Sequence, residues 1–407
     1  MNKSCQACEG KAAKILLDFG PQPLCNRFSS NPHVDDYYHP LILGQCQNCS
    51  LIQLIDPVPA SEIIPRVEWL KYSEPEEHLD ALANIVCALE DLPEKPVACG
   101  ITYKDDSFLK RLDERSFGRT WRIEPEQDLG ITQKGIAGET IIPKLTTNSV
   151  KNITDKYGYV DVVIARHILE HALDTKAFLS TIWNILKPGG YIVFEVPDCT
   201  KQLRNNDYSM PWEEHILYFV PETLKLIFDY TSYKMIQIQQ YPYETEDSQV
   251  VIVRKVQNPV LGNTQSIPEA FILAEEYADS FEMNRKIVYS YLKNYTCKVG
   301  KVVFYGAGHL SVMLVNSLQI EDFIEFVIDD TEQKQSQYLP GTSLQIKSSE
   351  LLEKEKISLC ILSLSVEHEN KIVKKHHGFI AGGGTFVSAF PDQQNSLFKV
   401  ASENYQI

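Results

Sequence analysis

From residue 95 onward, short apolar runs alternate with amphipathic stretches, the pattern of a sheet whose strands are joined by crossover helices. The stretch 161–219 shows it most clearly. DVVIA at 161–165 reads as a buried parallel strand, and apolar positions at helical spacing follow over 168–186. LKPGG at 186–190 ends that helix, because Pro188 cannot continue it and two glycines supply a turn. YIVFEVP at 191–197 is the next buried strand. Strand, helix and strand make a parallel βαβ unit, and open α/β sheets bind ligands at the carboxyl ends of their strands. Arg166, His167 and His171 follow the first strand and residues 198–215 the second, so chemistry is expected there.

The same reading extends both ways. KPVACGITYKDDSFLKRL at 95–112 predicts a strand, a turn and a helix opened by an acidic residue, and TWRIE at 120–124 a second strand ending at Glu124. An acidic side chain at that end accepts hydrogen bonds from ribose hydroxyls in nucleotide-binding folds, or else lies in a solvated turn. The first turn has Gly100 alone, where a glycine-rich loop would let backbone approach a ligand. MIQIQQY and SQVVIVRK predict an antiparallel pair closing the sheet. Upstream, Glu74 and Pro75 open a helix with Leu79, Leu82, Ile85, Val86 and Leu89 on one face, and Trp69, Tyr72 and His78 stand at its junction. A turn-rich linker at 257–270 and a long helix over 270–295 lead into a second α/β region. There KVVFYGAGH places Gly306, Ala307 and Gly308 between a strand and a helix, Ser311 takes the place of a third glycine, and IEFVIDD ends in Asp329 and Asp330. That layout resembles the first βαβ of a dinucleotide fold.

Composition narrows the classes. The 407 residues suit two or three domains, and the 43% hydrophobic content is that of a globular protein. With 39 basic against 54 acidic residues the formal charge is −15, and no basic stripe stands out to neutralise phosphates, so a nucleic-acid binder is not expected. No apolar run is long enough for a membrane span, and the first residues carry too short an apolar segment for a signal peptide, so a cytoplasmic protein without a membrane partner is expected. Of ten cysteines, four form two CxxC pairs, Cys5 with Cys8 and Cys46 with Cys49. Two such knuckles bring four thiolates to one closed tetrahedral centre, the arrangement of structural zinc. Cys25 reads as a small buried hydrophobe. Trp212 to His215 reads WEEH, a histidine beside carboxylates with the make-up of a general base or of a surface ion pair.

Taken together, the CxxC pairs with PLCNRF and CSLIQL, the ARHILEH, LKPGGYIVFEVPD and EEHILYF blocks, and the FYGAGH, VIDD and YLPGT blocks resemble the sugar C-methyltransferases over nearly the whole chain. The resemblance implies a central Rossmann-like class I methyltransferase sheet at 69–257, a zinc-binding module at 1–68 and a second Rossmann-like domain at 258–407 that helps hold a nucleotide-sugar. The implied reaction moves a methyl group from S-adenosylmethionine to the carbon beside the ketone of a nucleotide-linked 4-keto-deoxysugar, in a monomer or small homo-oligomer. The family's zinc ligands carry over to Cys5, Cys8, Cys46 and Cys49. Its catalytic histidine matches His215, with Glu214 the adjacent carboxylate, His171 a second active-site histidine and Tyr72 the linker tyrosine. Cofactor contacts fall at Gly100, Asp106, Glu124, Ala165, Arg166 and His167, and substrate contacts at Asn26, Trp212, Gly306, Gly308 and Asp329. Trp212 replaces the family's tyrosine, leaving one donor and no acceptor, and GITYKDDS stands where the family has a loop like GSNDG. A nucleotide-sugar-binding protein with lost or altered catalysis is the alternative expectation, and an NAD-dependent oxidoreductase built on the GAG turn a third.

Overall fold

The computed structural model describes residues 4–8, 10, 13–32, 37–64, 66, 74–133, 135–229, 233–256 and 267–405. Trp69, Tyr72 and residues 257–266 of the expected linker lie outside them. The chain divides into two compact units: Met1–Ile15, Leu43–Thr200 and Glu214–Phe271 form the first, and Leu16–Ile42, Lys201–Glu213 and Ile272–Ile407 the second. Strands β1 (Lys14–Pro23), β2 (Tyr38–Gln45) and β3 (Ile52–Leu54) come first. They are followed by β4 (Val97–Gly100), β5 (Arg119–Arg122), β6 (Val160–Arg166), β7 (Leu186–Asp198), β8 (Leu217–Tyr218), β9 (Tyr233–Tyr241) and β10 (Asp247–Lys255).

In the first unit six strands form a sheet of order β5-β4-β6-β7-β10-β9. β5, β4, β6 and β7 run parallel, and β10 is antiparallel to both β7 and β9. Every residue of β6 is buried, which is why its sequence is a run and not an alternation. Its side chains still alternate between faces. Val163, Ala165, Ile192 and Phe194 pack with Phe178, Ile182 and Phe228 on one side. Val162, Ile164, Tyr191 and Val193 pack with Leu79, Leu82, Phe108 and Leu112 on the other. Strand order reverses between β4 and β6, so the carboxyl ends of these two strands make the switch point at which such sheets bind ligands.

Three elements differ from expectation. The helix assigned to begin at Glu74 and Pro75 starts at Leu79, with His78 at its N-cap. The helix expected over 168–186 is a 3-10 turn at Leu169–His171 followed by a shorter helix, Thr175–Trp183. The Asp174 side chain accepts the Ala177 N–H at 2.8 Å and sets that later start. LKPGG is the irregular beginning of β7, with Gly189 at φ 77° and a register shift opposite β6 between Val160 and Val162.

The second unit contains a 31-residue helix, Pro268–Lys298 for the most part, and five strands: β11 (Lys301–Tyr305), β12 (Ile324–Ile328), β13 (Ile346–Lys347), β14 (Ile357–Leu362) and β15 (Thr385–Ser388). They form an all-parallel sheet of order β13-β12-β11-β14-β15, the expected second Rossmann-like region. Gly306 leaves β11 at φ 110°, and a Cβ there would stand 2.6 Å from the Ser363 carbonyl oxygen, so only glycine fits. Among the described residues no helix is long and apolar enough to cross a membrane.

Gly100 is held equally tightly, because an added Cβ would meet Asp105 Cβ at 2.8 Å and Leu109 Cδ1 at 2.9 Å. Gly100→Ala is expected to lower the unfolding free energy by about 1–3 kcal/mol, the usual cost of overpacking. Urea unfolding measures it, and a loss below about 0.5 kcal/mol would contradict this account of the turn.

Candidate active site and zinc centre

The zinc centre is assembled from two turns of the first unit. The Sγ atoms of Cys5, Cys8, Cys46 and Cys49 all lie within 4.8 Å of one another, with Cys5 to Cys49 at 3.6 Å and Cys8 to Cys46 at 3.5 Å. Four Zn–S bonds of about 2.3 Å make a tetrahedron with edges of about 3.8 Å, so the site fits zinc. Backbone N–H groups of Ala7, Gly10 and Asn48 each point at a sulfur at 3.4 Å, stabilising thiolate. The four cysteines leave no open ligand position, as in a structural site. β3, which follows Cys49, pairs antiparallel with β8, and the Leu54 N–H donates to the Ile216 carbonyl at 2.9 Å. The zinc turn thus reaches the backbone next to His215.

At the switch point a side chain takes the place a glycine loop would leave open. Asp105 Oδ2 accepts the N–H groups of Ile101 at 2.7 Å and Thr102 at 2.8 Å, and its Oδ1 accepts that of Arg166 at 2.9 Å. Burial pushes its carboxyl up to about 6 against those bonds. Beside it, the fully buried Glu195 of β7 gathers four partners. Arg166 Nε donates at 2.6 Å and Ser248 Oγ at 2.8 Å, while His78 Nε2 lies at 3.2 Å and His167 Nε2 at 3.3 Å. Burial would raise the Glu195 carboxyl, but His167, His78 and Arg166 hold it well below the usual range. The rest of the Arg166 guanidinium donates to the Lys104 carbonyl at 2.6 Å and the Pro75 carbonyl at 3.2 Å. His167 sits at φ 48°, and Glu74, paired with Lys104 at 2.5 Å, lies 3.7 Å from its Nδ1. At the far end, Asp106, Arg122 and Glu124 form a partly exposed chain, with Arg122 at 3.4 Å from Asp106 and 3.2 Å from Glu124. Ala165 is buried in β6.

The 3-10 turn after β6 brings the histidines together. The rings of His171 and His215 are 4.9 Å apart and perpendicular. His171 Nδ1 is in ion-pair contact with Glu139, and Nε2 lies 3.9 Å from Glu170. Burial would depress the His171 imidazole, but Glu139 and then Glu170 outweigh it and raise its pKa. The Ile216 N–H donates to the Glu170 carbonyl at 2.8 Å, fixing the loop that carries His215. Glu214 is buried beside it.

Asn26, Trp212, Gly306, Gly308 and Asp329 all fall in the second unit. Trp212 stacks on His309 with ring centres 4.8 Å apart. Asp329 Oδ2 takes the Ala307 N–H and Lys334 Nζ, both at 2.9 Å, and Oδ1 takes the Thr331 N–H, so this carboxylate ties down the GAG turn. Asn26 is buried, and its neighbour Cys25 donates its N–H to Glu213 at 2.6 Å. Tyr72 lies outside the described residues.

Sequence reasoning passed over Asp105, Glu139, Glu170 and Glu195. Glu195 left a signal, a charge inside the apolar run YIVFEVP, which a buried strand tolerates only with partners. Glu139, in AGET, left none.

Three family models match the chain in order: "Putative zinc binding domain" over residues 5–63, "Methyltransferase domain" over 101–238 and "C-methyltransferase C-terminal domain" over 268–391. Similar solved structures include an S-adenosylmethionine-dependent methyltransferase from Archaeoglobus fulgidus, 18% identical, with 44% of this chain and 95% of that chain covered at a TM-score of 0.31. Another is the N-methyltransferase NodS from Bradyrhizobium japonicum, 10% identical, with 45% and 97% covered at 0.29. No curated protein matches the sequence. The fold and the ordered models define a methyltransferase with an N-terminal zinc-binding region. With its C-methyltransferase C-terminal domain the chain is an S-adenosylmethionine-dependent C-methyltransferase, and Cys5, Cys8, Cys46 and Cys49 form its zinc cluster.

Cys46→Ser is expected to take bound zinc from one ion per chain to none and to lower the melting temperature, since metal binding and folding are coupled at such sites. Metal analysis with thermal melting checks both, and a variant retaining one zinc would refute the ligand set.

Proposed function

We propose that the enzyme methylates the carbon beside the ketone of a nucleotide-linked 4-keto-deoxysugar, as a step in making a branched-chain sugar. The observation that carries this reading is the perpendicular His171–His215 pair, with His171 set against Glu139 and near Glu170. Methylating such a carbon requires a base for its proton and a donor for the enolate oxygen, and two histidines in unlike settings supply both. His215 takes the proton, with Glu214 favouring the imidazolium it becomes. The C–H electron pair passes into the enolate and then forms the new C–C bond, while the methyl-bearing sulfur keeps the pair of the bond that breaks. S-adenosylmethionine supplies the methyl group as an electrophile.

The residues of the first unit fit that cofactor by their chemistry. Glu124 keeps a side chain 46% exposed at the carboxyl side of β5, where ribose hydroxyls need an acceptor. Gly100, Asp106, Ala165 and the backbone of Arg166 and His167 complete the proposed cofactor contacts. Because Asp105 engages the loop amides, side chains and not a bare glycine loop would hold the amino-acid end of that cofactor. In the second unit Asn26, Trp212 and the Gly306–Gly308 turn shaped by Asp329 are the proposed nucleotide-sugar contacts, with Tyr72 a further candidate for the reacting sugar.

The test incubates the enzyme with S-adenosylmethionine and a panel of 4-keto nucleotide-sugars, following mass gain and exchange of the alpha proton in deuterated water. His215→Asn is expected to slow both by about 10²- to 10⁴-fold. Full methyl transfer by that variant would remove His215 from the mechanism.

A further inference from the structure

Glu139 comes from the short helix Gly138–Ile141, which none of the expected site residues occupies. Its carboxylate is buried and in ion-pair contact with His171 Nδ1. Neither Glu139 oxygen has a hydrogen bond to any other described residue. Gly138 lets the helix come this close, since a Cβ there would stand 3.3 Å from His171 Cγ. A carboxylate on one ring nitrogen fixes the tautomer and orientation of a histidine and leaves the other nitrogen for chemistry. That other nitrogen, Nε2, is 3.9 Å from Glu170, whose two carboxylate oxygens are buried without a hydrogen bond among the described residues. Polar atoms of Glu170, His171 and His215 lie within 4.8 Å of one another.

We infer that Glu139 is a positioning residue for methyl transfer: it holds His171 through Nδ1 so that Nε2–H is presented beside His215 as the donor to the enolate oxygen. This rests on the reading of the reaction as enolisation. It also separates the roles of the two histidines. His215 takes the proton from carbon, and His171 keeps its own proton throughout and only hydrogen-bonds the oxygen as negative charge develops. No proton passes through His171, so the step needs no further reactant.

The groups that bear on the His171 imidazole are consistent with the assignment. Burial disfavours its charge, Glu139 and Glu170 favour it, and Lys104 opposes it, with the net effect upward. His171 therefore stays protonated to higher pH than an ordinary histidine. Activity that depends on Nε2–H is lost as pH rises through that raised value. Removing the Glu139 charge lowers the value and brings the high-pH limb of kcat to lower pH.

Two measurements on the full-length, zinc-loaded protein test this. The first is a histidine ¹⁵N NMR titration, with His171 assigned by its loss in His171→Gln. Glu139→Gln is expected to move the His171 titration to lower pH and to abolish the preference for protonated Nδ1. The second is methyl transfer from S-adenosylmethionine to thymidine-diphosphate 4-keto-6-deoxyglucose. Here Glu139→Gln is expected to lower kcat by about 10²-fold with little change in KM, the order of loss of one oxyanion donor, and to shift the high-pH limb downward. Glu139→Asp is expected to recover part of both. An unshifted His171 titration overturns the inference, as does an unchanged kcat profile in an enzyme that methylates the probe. A second metal ion per chain that disappears in His171→Gln also overturns it, by making His171 a ligand. If the titration shifts as expected but wild type does not methylate the probe, the positioning of His171 stands and this sugar is ruled out as the substrate.

Discussion

The first unit depends on one buried carboxylate. Glu195 lies in the middle of a sheet that is apolar on both faces, where an unpaired charge would cost several kcal/mol. It is tolerated because four side chains from different segments converge on it: Arg166 and His167 from the end of β6, Ser248 from β10 and His78 from the start of the Leu79–Cys87 helix. Each partner is thereby fixed in place. Arg166 in turn anchors the carbonyls of Lys104 and Pro75, so the loops around the switch point are tied to β7 through a single guanidinium. The Arg166 backbone N–H also donates to Asp105, the residue that closes the turn after β4.

That arrangement explains why the loop after β4 manages with one glycine. A glycine-rich turn presents free amides to a ligand, whereas here the amides of Ile101 and Thr102 are already bonded within the chain. The turn is held together by these bonds within the chain. Of the charged side chains nearby, Glu74 and Lys104 pair with each other, Glu139 pairs with His171, and Glu124 is held by Arg122. The zinc cluster lies on the same chain segment as β3. The segment that carries Cys49 leads into β3, which pairs with β8, and Leu54 of β3 bonds the carbonyl of Ile216, the residue after His215.

Much of this was legible in the chain. CxxC spacing identified the zinc ligands because two knuckles with four thiolates have few other uses, and the apolar runs of β6, β7 and β11 located the strands because buried parallel strands need them. Residue type beside strand ends brought forward His167, His171, Glu124 and the GAG turn as candidates, and the structure sets His167 against Glu195 and His171 against Glu139. The helix after β6 was misjudged because apolar spacing over 168–186 does not show where a cap begins it. Asp174 supplied that cap, and the freed residues 169–171 became the turn that aims His171. Similarly LKPGG reads as a stop signal, but the strand absorbs its glycines as an irregular start.

What the sequence by itself determined, then, was the set of local elements, the metal centre and the kinds of side chain at the strand ends, since periodicity, turn chemistry and ligand spacing are properties of neighbours along the chain. Only the tertiary structure decided what those side chains do. Arg166, which the pattern marks as a ligand contact, puts its guanidinium on Glu195, and Asp329 holds the turn beside it. Glu139, in an unremarkable stretch more than 30 residues from its partner, sits against His171. Pairings of this kind depend on which segments the sheet order brings side by side, and no spacing along a single chain encodes the distance between them.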